Sequence, residues 1–378
     1  MKQIMKQNKK IGLISYHSGH NYGTMLQAYA LQFCIEKMGH DAVEYINYVD
    51  GKPFKEASFR VKLKKIKDKL NSGIIPLLYN CLYKKDFLTT RDRFNRFYSA
   101  YIKTSSVLYS SLAELKENPP VYDIYIVGSD QTWNPTFLKD NGAYFLTFAA
   151  EDANKNSYAS SLGVALLSDE VKKTYADYLR SFNHISCRES YGCEMLSDVL
   201  KREVEHVLDP TLLLTPDDWS KIESSKIIAE PYVLCYCLGY KKSVRDFAKK
   251  LGKAHNMKVY YIVSNYLDIQ EKNHLFGIGP DDFISLIRYA SYVCTDSFHG
   301  TIFSINYGRN FYSFCKRDGN IEKGDNSRIP TLLREFSLEN RLKSDVFEEE
   351  SDIDYETVSA HLNDERQRSI DFLNKILK

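Results

Sequence analysis

The amino-acid sequence predicts an α/β protein with two tandem Rossmann-like domains, each built on a parallel sheet, that face a common cleft. Short apolar runs alternate with amphipathic helical segments along most of the chain, and this alternation is typical of parallel sheets. A proline-containing stretch at 209–231 separates two such alternating sets. The length of 378 residues suits two domains of ordinary size.

The first alternating set begins with an apolar strand at 11–15, followed by a glycine-containing turn and an amphipathic helix from about Thr24 to Met38. A second strand near 42–46 completes a βαβ unit. Residues 52–103 hold fourteen Lys or Arg against four Asp or Glu, and their periodicity predicts a basic helical excursion from the sheet. Strand-like segments then resume in "YDIYIVGSDQTWN", "KNSYASSLG", "HISCRES" and "EVEHVLDPTLLL", with a helix at 169–181. Residues 1–215 are therefore assigned to the first domain.

The second set runs through strands "YVLCYCLG", "KVYYIVS", "YVCT" and "FYSFC". Helices are predicted between them at Ser243 to His255, at 281–289 and from Thr301. We assign 228–345 to a second domain and 346–378 to a C-terminal helical extension that packs back onto the domains.

Composition argues against several classes of protein. The net charge of +2 gives no reason to expect a nucleic-acid partner. The longest apolar stretch, "GIIPLLYNCLY", is far shorter than the ~20 residues of a membrane-spanning helix, and the N-terminal residues lack a signal-peptide core. Eight cysteines without a CxxC pair are typical of reduced core residues in a cytoplasmic protein. His17 and His20 have no third ligand at suitable spacing, so no metal site and no cofactor are predicted.

The segment "TDSFHGTIFS" carries the strongest candidate chemistry. In a parallel sheet, Asp296 to His299 emerge where the strand ends, which is where open α/β sheets place ligands. Ser297, Gly300 and Thr301 open the next helix, and its first N–H groups are predicted to bind an anion. His299 beside them can exchange a proton near neutral pH. The alternative is a capping serine with a histidine that only turns the chain.

Polar residues also follow a strand of the first domain, in "VGSDQTWN". Asp130, Gln131 and Trp133 combine hydrogen-bonding groups with an aromatic ring, as a sugar site requires. The alternative is an Asx turn with Trp133 packed in the core.

Three further residues complete the set of candidates. The turn "HSGHNYGT" places Asn21 and Tyr22 at a helix start, although the GxGxxG spacing and the P-loop lysine of nucleotide sites are absent. Arg188 in "SCRES" and Arg328 in "GDNSRIPTLL" offer guanidinium groups that suit carboxylate or phosphate. Either arginine could equally form an ordinary surface ion pair.

Taken together, "NYGTMLQAYAL", "VGSDQTWN", "YASSLG", "CRES", "LDPTLLL", "TDSFHGTIFSI" and "NSRIPTLL" resemble the polysaccharide pyruvyl transferase family, in that order and from about 11 to 340. The resemblance implies a GT-B-like fold and transfer of a pyruvyl group from phosphoenolpyruvate to sugar hydroxyls, usually as a ketal. It implies that His299 serves the donor as general acid. Many members have an arginine two positions before that histidine, where this chain has Ser297. Arg188 and Arg328 are the proposed substitutes.

On this interpretation the donor site comprises Arg188, Arg328, Ser297, Gly300 and Thr301, and the acceptor site comprises Asn21, Tyr22, Asp130, Gln131 and Trp133. The acceptor is expected to be a sugar or a lipid-linked oligosaccharide, and the basic stretch 52–103 suggests peripheral contact with an anionic membrane at its cytoplasmic face. Two alternatives remain open: a nucleotide-sugar glycosyltransferase of GT-B shape, and a noncatalytic carbohydrate-binding protein of the same pathway.

Overall fold

The structure is a computed structural model that describes residues 9–49, 82–136, 142–238, 241–264, 266–315, 327–344 and 346–378. The segment "FRVKLKKIKDKL", which the sequence predicts to be helical, lies outside these residues. The remainder of the basic excursion includes one long helix, Lys84–Tyr101.

The first domain is built on a five-stranded sheet in which every pair of neighbouring strands is parallel. Its strands lie in the order β3-β2-β1-β4-β5. They are β1 Ile11–Ile14, β2 Val43–Tyr48, β3 Thr104–Tyr109, β4 Ile124–Val127 and β5 Lys155–Ser157. The short parallel pair β6 Ser186–Cys187 and β7 Glu205–His206 continues beyond β5 through isolated bridges. The helices of this part are α1 Tyr22–Lys37, α2 Lys84–Tyr101, α3 Leu112–Glu117, α4 Asp169–Leu179 and α5 Ser190–Leu200.

The second domain has a six-stranded parallel sheet in the order β10-β9-β8-β11-β12-β13. Its strands are β8 Tyr232–Tyr236, β9 Lys258–Ile262, β10 His274–Leu275, β11 Tyr292–Thr295, β12 Asn310–Phe314 and β13 Leu342–Lys343. Two short helices connect the domains, α6 Pro210–Leu213 and α7 Pro216–Trp219. The helices that follow are α8 Lys242–Ala254, α9 Tyr266–Ile269, α10 Pro280–Arg288, α11 Phe298–Asn306, α12 Arg328–Glu335 and α13 Tyr355–Ile376.

In each sheet the chain adds strands first on one side of the domain's first strand and then on the other side, as in Rossmann folds. The change of side is called a reversal here, and all strands remain parallel. In the first sheet the reversal lies between β1 and β4, where Ile14 pairs with Val127. In the second it lies between β8 and β11, where Tyr236 pairs with Thr295. The loops that leave these strand ends diverge, and the crevice between them is where such sheets bind ligands.

The central strands are apolar because helices cover both faces of a parallel sheet. All residues of β1, β4 and β8 are buried. The domains share one hydrophobic cluster, in which Tyr22 of α1 stacks on Phe283 of α10 with ring centroids 4.5 Å apart. Arg93 of α2 pairs with Asp281 of α10 at 3.0 Å across the same junction.

Helix α13 packs back onto both domains. Its Ser369 hydroxyl accepts a hydrogen bond from the backbone N–H of Leu208 at 2.9 Å, on the side of the first domain. Tyr355, at its start, donates to the carbonyl oxygen of Arg309 in the second domain. The expectation of a C-terminal helix that packs back is therefore confirmed.

The predicted pair of parallel sheets is confirmed, with three differences. The short edge strands β3, β10 and β13 were not predicted. The segment "LDPTLLL" was expected to continue a strand, but Asp209 caps a helical turn there and Pro210 occupies its first position, so the strand ends at His206. Helix α11 begins at Phe298 and not at Thr301, because Ser297 caps it. Six of the seven described cysteines are buried, as expected of core residues.

In the part of the chain that the structure describes, every helix is too short or too polar to traverse a lipid bilayer.

Candidate active site

A cleft lies where the carboxyl ends of the two sheets meet. Its volume, including the part open to solvent, is about 620 Å³. The loop after β1, the loop after β4 and the ends of β8 and β11 supply most of its walls, and α12 supplies the rest. The residues that line it are Asn21, Asp130, Gln131, Leu238, Asp296, Ser297, Phe298, His299, Arg328 and Ile329.

His299 is held between the two domains. Its side chain is 10% exposed, and its Nε2 lies 3.6 Å from a carboxylate oxygen of Asp209. This nitrogen is buried and has no hydrogen-bond partner among the described residues. Gly23 of α1 contacts the opposite edge of the ring, since a Cβ atom added to that glycine would lie 2.0 Å from Nδ1. A glycine in the first turn of α1 therefore makes room for the imidazole.

Asp209 belongs to a buried ionic network beneath the cleft. One of its carboxylate oxygens accepts a hydrogen bond from Nη1 of Arg188 at 2.8 Å, and the other accepts from the hydroxyl of Thr211 at 2.7 Å. Burial alone would raise the pKa of Asp209, but attraction to His299 and Arg188 outweighs it and holds the pKa of this carboxyl well below its usual range. Asp209 is therefore an anion that faces His299.

Arg188 is almost fully enclosed. Its side chain is 2% exposed, and its Nε donates to Glu189 at 3.1 Å. Burial acts to lower the pKa of Arg188, but the charges of Glu189 and Asp209 reverse the effect and raise it. Arg188 does not line the cleft but an adjoining cavity. The expectation that it clamps a donor directly is therefore wrong, because its carboxylate partners and the ring of Phe298, 4.4 Å from Cζ, separate it from the cleft.

Arg328 is the predicted arginine that lines the cleft. It is the first residue of α12, and its Cζ lies 5.6 Å from the centre of the Phe298 ring. The Gln131 amide lies 2.9 and 3.0 Å from its two terminal nitrogens, and it accepts hydrogen bonds from both when its oxygen faces the guanidinium. Arg328 thus connects the rim of the second domain to the loop after β4.

Asp130 occupies a turn with an unusual backbone. Its φ of 68° lies in the left-handed region, which non-glycine residues adopt rarely. The turn is held because the Asp130 carbonyl oxygen accepts from the N–H groups of Thr132 and Ser161, at 2.8 and 2.9 Å. Its carboxylate accepts from the hydroxyl of Thr24 at 3.1 Å, which joins the turn to the start of α1. Strained backbone of this kind often marks a functional site.

Two of the predicted acceptor residues do not reach the cleft. Trp133 is 0% exposed, and its indole N–H donates to the carbonyl oxygen of Tyr144 at 2.9 Å. Tyr22 is 6% exposed, and its hydroxyl donates to the carbonyl oxygen of Ile278 at 3.1 Å. The prediction that these rings contact a sugar is wrong, because both are core residues. For Trp133 the alternative of a turn with a buried ring is correct.

The predicted anion clamp at Gly300 and Thr301 is also wrong. The N–H of Gly300 donates to the Ser297 hydroxyl at 3.2 Å, and the N–H of Thr301 donates to the Ser297 carbonyl oxygen at 3.0 Å. The helix satisfies both groups itself, and neither residue lines the cleft. Ser297, Asn21, Asp130 and Gln131 do line it, together with His299 and Arg328.

Asp209, Gly23 and Phe298 were not singled out from the sequence. Asp209 had a local signal, because an acidic residue directly before a proline is a typical helix cap. The packing of Gly23 on His299 had none, since it depends on how the two domains meet.

The two early histidines do not form a metal site. His17 is 1% exposed, its Nδ1 donates to the carbonyl oxygen of Ser15 at 2.9 Å, and it stacks on Tyr45. Burial lowers the pKa of His17, so it is a neutral core residue. His20 packs against Phe94 instead.

Fold and cleft together define a class of protein: two facing Rossmann-like domains, with polar and titratable side chains from both at the cleft between them. Such clefts between domains are where proteins of this architecture bind ligands. The model of the polysaccharide pyruvyl transferase family matches residues 21–314. The chain belongs to this family of transferases, and membership implies a sugar acceptor.

Several solved structures are similar to this chain at low sequence identity. The ADP-heptose LPS heptosyltransferase II of E. coli is 12% identical, with 95% of this chain and 99% of that chain covered and a TM-score of 0.33. A UDP-glucosyltransferase from Polygonum tinctorium is 10% identical, with 97% and 98% covered and a TM-score of 0.42. The glycotransferase of kitacinnamycin is 10% identical, with 97% and 98% covered and a TM-score of 0.37. These are distant likenesses, and no curated protein matches the chain.

Proposed function

We propose that this protein transfers a pyruvyl group from phosphoenolpyruvate to hydroxyl groups of a sugar, as a ketal, in the synthesis of a surface polysaccharide or exopolysaccharide. The observation that carries the proposal is the placement of His299, which is buried against the anionic Asp209 and lines a cleft shared with Arg328. Family membership supports the same activity.

The donor is an anion, and the wall of the cleft that holds Arg328 offers it positive charge, while the carboxylates of Asp130 and Asp296 also belong to the lining. Helices α1, α11 and α12 all begin at its walls, with Asn21 and Ser297 as caps of the first two and Arg328 as the first residue of the third. A helix N-terminus carries roughly half a positive charge, and Arg328 adds a full one. Phosphate and carboxylate are the groups that such a wall attracts. Arg328 then has the role that the family's arginine has in other members, where this chain has Ser297.

His299 is the proton donor in this proposal. Because Nε2 is buried and faces Asp209, Nδ1 is the ring nitrogen that gives the proton to the donor in this proposal. The Asp209 carboxylate orients the ring from the side of Nε2, in the way that a carboxylate orients the histidine of many acid–base catalysts. Gly23 packs against the Nδ1 edge, where the side chain of any other residue would collide with the ring.

The chemistry proceeds in balanced steps. His299 protonates the methylene carbon of phosphoenolpyruvate, which becomes a methyl group, and the central carbon becomes an oxocarbenium-like electrophile. A sugar hydroxyl forms a C–O bond to this carbon and loses its proton. The C–O bond to phosphate then breaks, and a second hydroxyl closes the ketal with loss of its proton. One phosphate is released, and both hydroxyl protons leave to bases or water.

The acceptor side is the rim of the first domain. Asn21, Asp130 and Gln131 supply amide and carboxylate groups that can form hydrogen bonds with sugar hydroxyls. Asp130 is the carboxylate among these three residues, and in this proposal it receives the proton of a sugar hydroxyl. With Trp133 in the core, the sugar is recognised at these positions by hydrogen bonds and not by stacking on that ring.

Thermal unfolding with ligands tests the donor. We expect phosphoenolpyruvate to raise the Tm of the wild type more than inorganic phosphate or UDP-sugars do, since binding to the folded state stabilises it. The rise should shrink in His299→Ala and persist in His255→Ala, whose histidine lies at the end of α8 and pairs with Glu349. Stabilisation by UDP-sugars alone would instead identify a nucleotide-sugar glycosyltransferase. Absence of turnover with every donor, with sugar binding intact in His299→Ala, would identify a carbohydrate-binding protein.

The acceptor is further proposed to be lipid-linked and presented at the cytoplasmic face of a membrane. The basic composition of 52–103 supports this, because anionic lipids attract clustered Lys and Arg. Flotation with liposomes of neutral or anionic lipid tests it. Equal failure to float with either composition would contradict it.

A further inference from the structure

Three side chains of the kinds that bind metal ions lie close together beside the cleft, where three segments of the chain meet. His206 ends β7 of the first domain, Glu335 ends α12 of the second domain, and Glu365 lies within α13. One nitrogen or oxygen atom from each lies within 4.8 Å of the other two. None of these residues lines the cleft, but His206 and Glu335 line the adjoining cavity that contains Arg188.

The carboxylate of Glu335 is only partly satisfied by its hydrogen-bonding and charged neighbours among the described residues. Its Oε1 is buried and has no hydrogen-bond partner within the described parts of the chain. Its Oε2 lies 3.9 Å from Nε2 of His206. A carboxylate with one buried oxygen that lacks a hydrogen-bond partner is what a bound cation would satisfy.

The other two members of the cluster are held but remain accessible to an ion. One oxygen of Glu365 pairs with Arg368, whose side chain is 72% exposed and can move into solvent. Nε2 of His206 donates to the carbonyl oxygen of Arg188 at 3.0 Å. An ion that binds Nε2 displaces this hydrogen bond, whereas an ion that binds Nδ1 keeps it as an outer contact.

We propose that His206, Glu335 and Glu365 bind one divalent transition-metal ion, Zn²⁺ or Mn²⁺. One imidazole nitrogen and two carboxylate oxygens form a ligand set that both ions accept, and water completes the coordination. Ligand atoms at roughly 2.1 Å from an ion are separated from one another by about 3–4 Å, and the separations of at most 4.8 Å in this cluster approach that range. Mg²⁺ is disfavoured, because it prefers oxygen ligands alone.

The ion joins the two domains to the C-terminal helix. Each of its three protein ligands comes from a different segment, so binding restrains the segments relative to one another. When the ion binds Nδ1 of His206, the hydrogen bond from Nε2 to the carbonyl oxygen of Arg188 links it to the network that holds Asp209 and, through it, His299. The site is structural in this proposal and takes no part in proton transfer.

Calorimetric titration of the full-length chain, free of tags and treated with chelator, tests the site. We expect one Zn²⁺ or Mn²⁺ to bind per chain and Mg²⁺ to bind far more weakly. Glu335→Gln keeps the shape of the side chain but removes its charge, and His206→Ala removes the nitrogen ligand. Each should weaken metal binding by at least tenfold. Glu205→Gln is the matched control, because Glu205 precedes His206 in β7 but pairs with Lys375 outside the cluster.

A second measurement covers the case in which a variant folds poorly. Added Zn²⁺ should raise the Tm of the wild type and of Glu205→Gln, and it should leave the Tm of Glu335→Gln unchanged. Absence of binding by the wild type at millimolar Zn²⁺ and Mn²⁺ would overturn the proposal, and a proton shared by the two carboxyl groups would then explain the cluster. Binding that both cluster variants retain would overturn it as well. Neither readout requires catalytic activity, so the result is independent of the proposed function.

Discussion

The two rims of the cleft are built differently. Polar groups on the rim of the first domain are held by local bonds: the side chain of Asn21 accepts from the N–H of Thr24, and the carboxylate of Asp130 accepts from the N–H of Gln131. On the rim of the second domain, His299 instead depends on Asp209, which lies outside that domain's sheet. The proposed acid is therefore positioned by a contact from outside its own domain, whereas Asn21 and Asp130 are held within the first domain, although Gln131 also contacts Arg328 of the second rim.

This difference separates two kinds of mutational effect. Changes at His299 or beneath it should alter the rate of the chemical step, because they alter the acid or its orientation. Changes at Asn21, Asp130 or Gln131 should act mainly on the KM for the acceptor.

The largest effect is expected from His299→Ala. Loss of a general acid lowers the rate by about two to four orders of magnitude, and the variant is expected to keep its fold. Phosphate release from phosphoenolpyruvate in the presence of acceptor measures the rate. Activity within tenfold of the wild type would exclude His299 as the acid.

Asp209→Asn should lower the free energy of unfolding by about 3–5 kcal/mol, because it leaves Arg188 with one carboxylate partner fewer in a buried place. The folded-state pKa of Asp209 lies below its ordinary value of 3.8. Its contribution to stability is therefore fully present above pH 3.8 and is lost as the pH falls toward the lower folded-state value. Urea unfolding from pH 7 downward should show this acid-dependent loss in the wild type and less of it in the variant.

Asp218→Asn is the matched control for that experiment. Burial acts to raise the pKa of Asp218, but hydrogen bonds from Lys37 and Lys221 lower it to about 2, so it has a similar acid dependence. It lies in α7, away from the cleft lining. We expect Asp218→Asn to lower the free energy of unfolding without changing the catalytic rate. Asp209→Asn should lower both the free energy of unfolding and the rate. Equal rates in the two variants would show that Asp209 does not position His299.

Gly23→Ala tests the contact between domains at the imidazole. A Cβ at 2.0 Å from Nδ1 forces His299 or α1 to shift, and a displacement of about 1 Å can reduce catalysis by about a hundredfold. The control is Gly192→Ala in α5, where a Cβ would meet its nearest neighbour at 3.5 Å. The control should keep its activity. A Gly23→Ala enzyme with normal kcat would show that the ring has room to move.

Arg328→Lys should raise the KM for phosphoenolpyruvate by about tenfold with a smaller effect on kcat, since an ammonium group cannot replace a planar guanidinium that forms paired bonds. The acceptor KM should be measured as well and should rise less than the donor KM, because Arg328 reaches the acceptor side only through Gln131. An unchanged donor KM would assign the donor to another cation.

The smallest effect is expected from Trp133→Phe. The variant loses the hydrogen bond to Tyr144 and part of a buried ring, at a cost of about 1–3 kcal/mol in the free energy of unfolding. The KM for the acceptor should not change, because the side chain is enclosed. A large rise in this KM at unchanged stability would restore Trp133 to the sugar site.

The sequence was sufficient to predict the parallel sheets, because buried strands are continuous apolar runs and the helices between them have a clear hydrophobic periodicity. It was also sufficient to place His299 and Arg328 at the cleft, because they follow a strand end and a loop that reach it, while their roles stay predictions. The sequence did not predict correctly which residues of a turn reach the cleft, because this depends on the direction of each side chain. Trp133 and Asp130 belong to the same turn, yet one points into the core and the other toward the cleft.

Contacts between residues of different domains could not be predicted from the sequence, for a different reason. The pairing of His299 with Asp209 joins residues that only the relative placement of the domains brings together. The same holds for the cluster of His206, Glu335 and Glu365. No local pattern encodes such contacts, since each residue alone is compatible with an ordinary helix cap, strand end or exposed helix face.

The way α13 closes the molecule has a consequence for biosynthesis. Ser369 accepts from the N–H of Leu208, Arg366 donates to the carbonyl oxygen of Leu212, and Phe372 lies beside the buried Tyr158. A ribosome-bound chain that has emerged only as far as β13 lacks these contacts, so the backbone on either side of Asp209 stays unsupported. The network beneath His299 is therefore completed only when α13 has left the exit tunnel, and a polypeptide truncated before Ser369 would assemble two sheets without this support for the proposed acid.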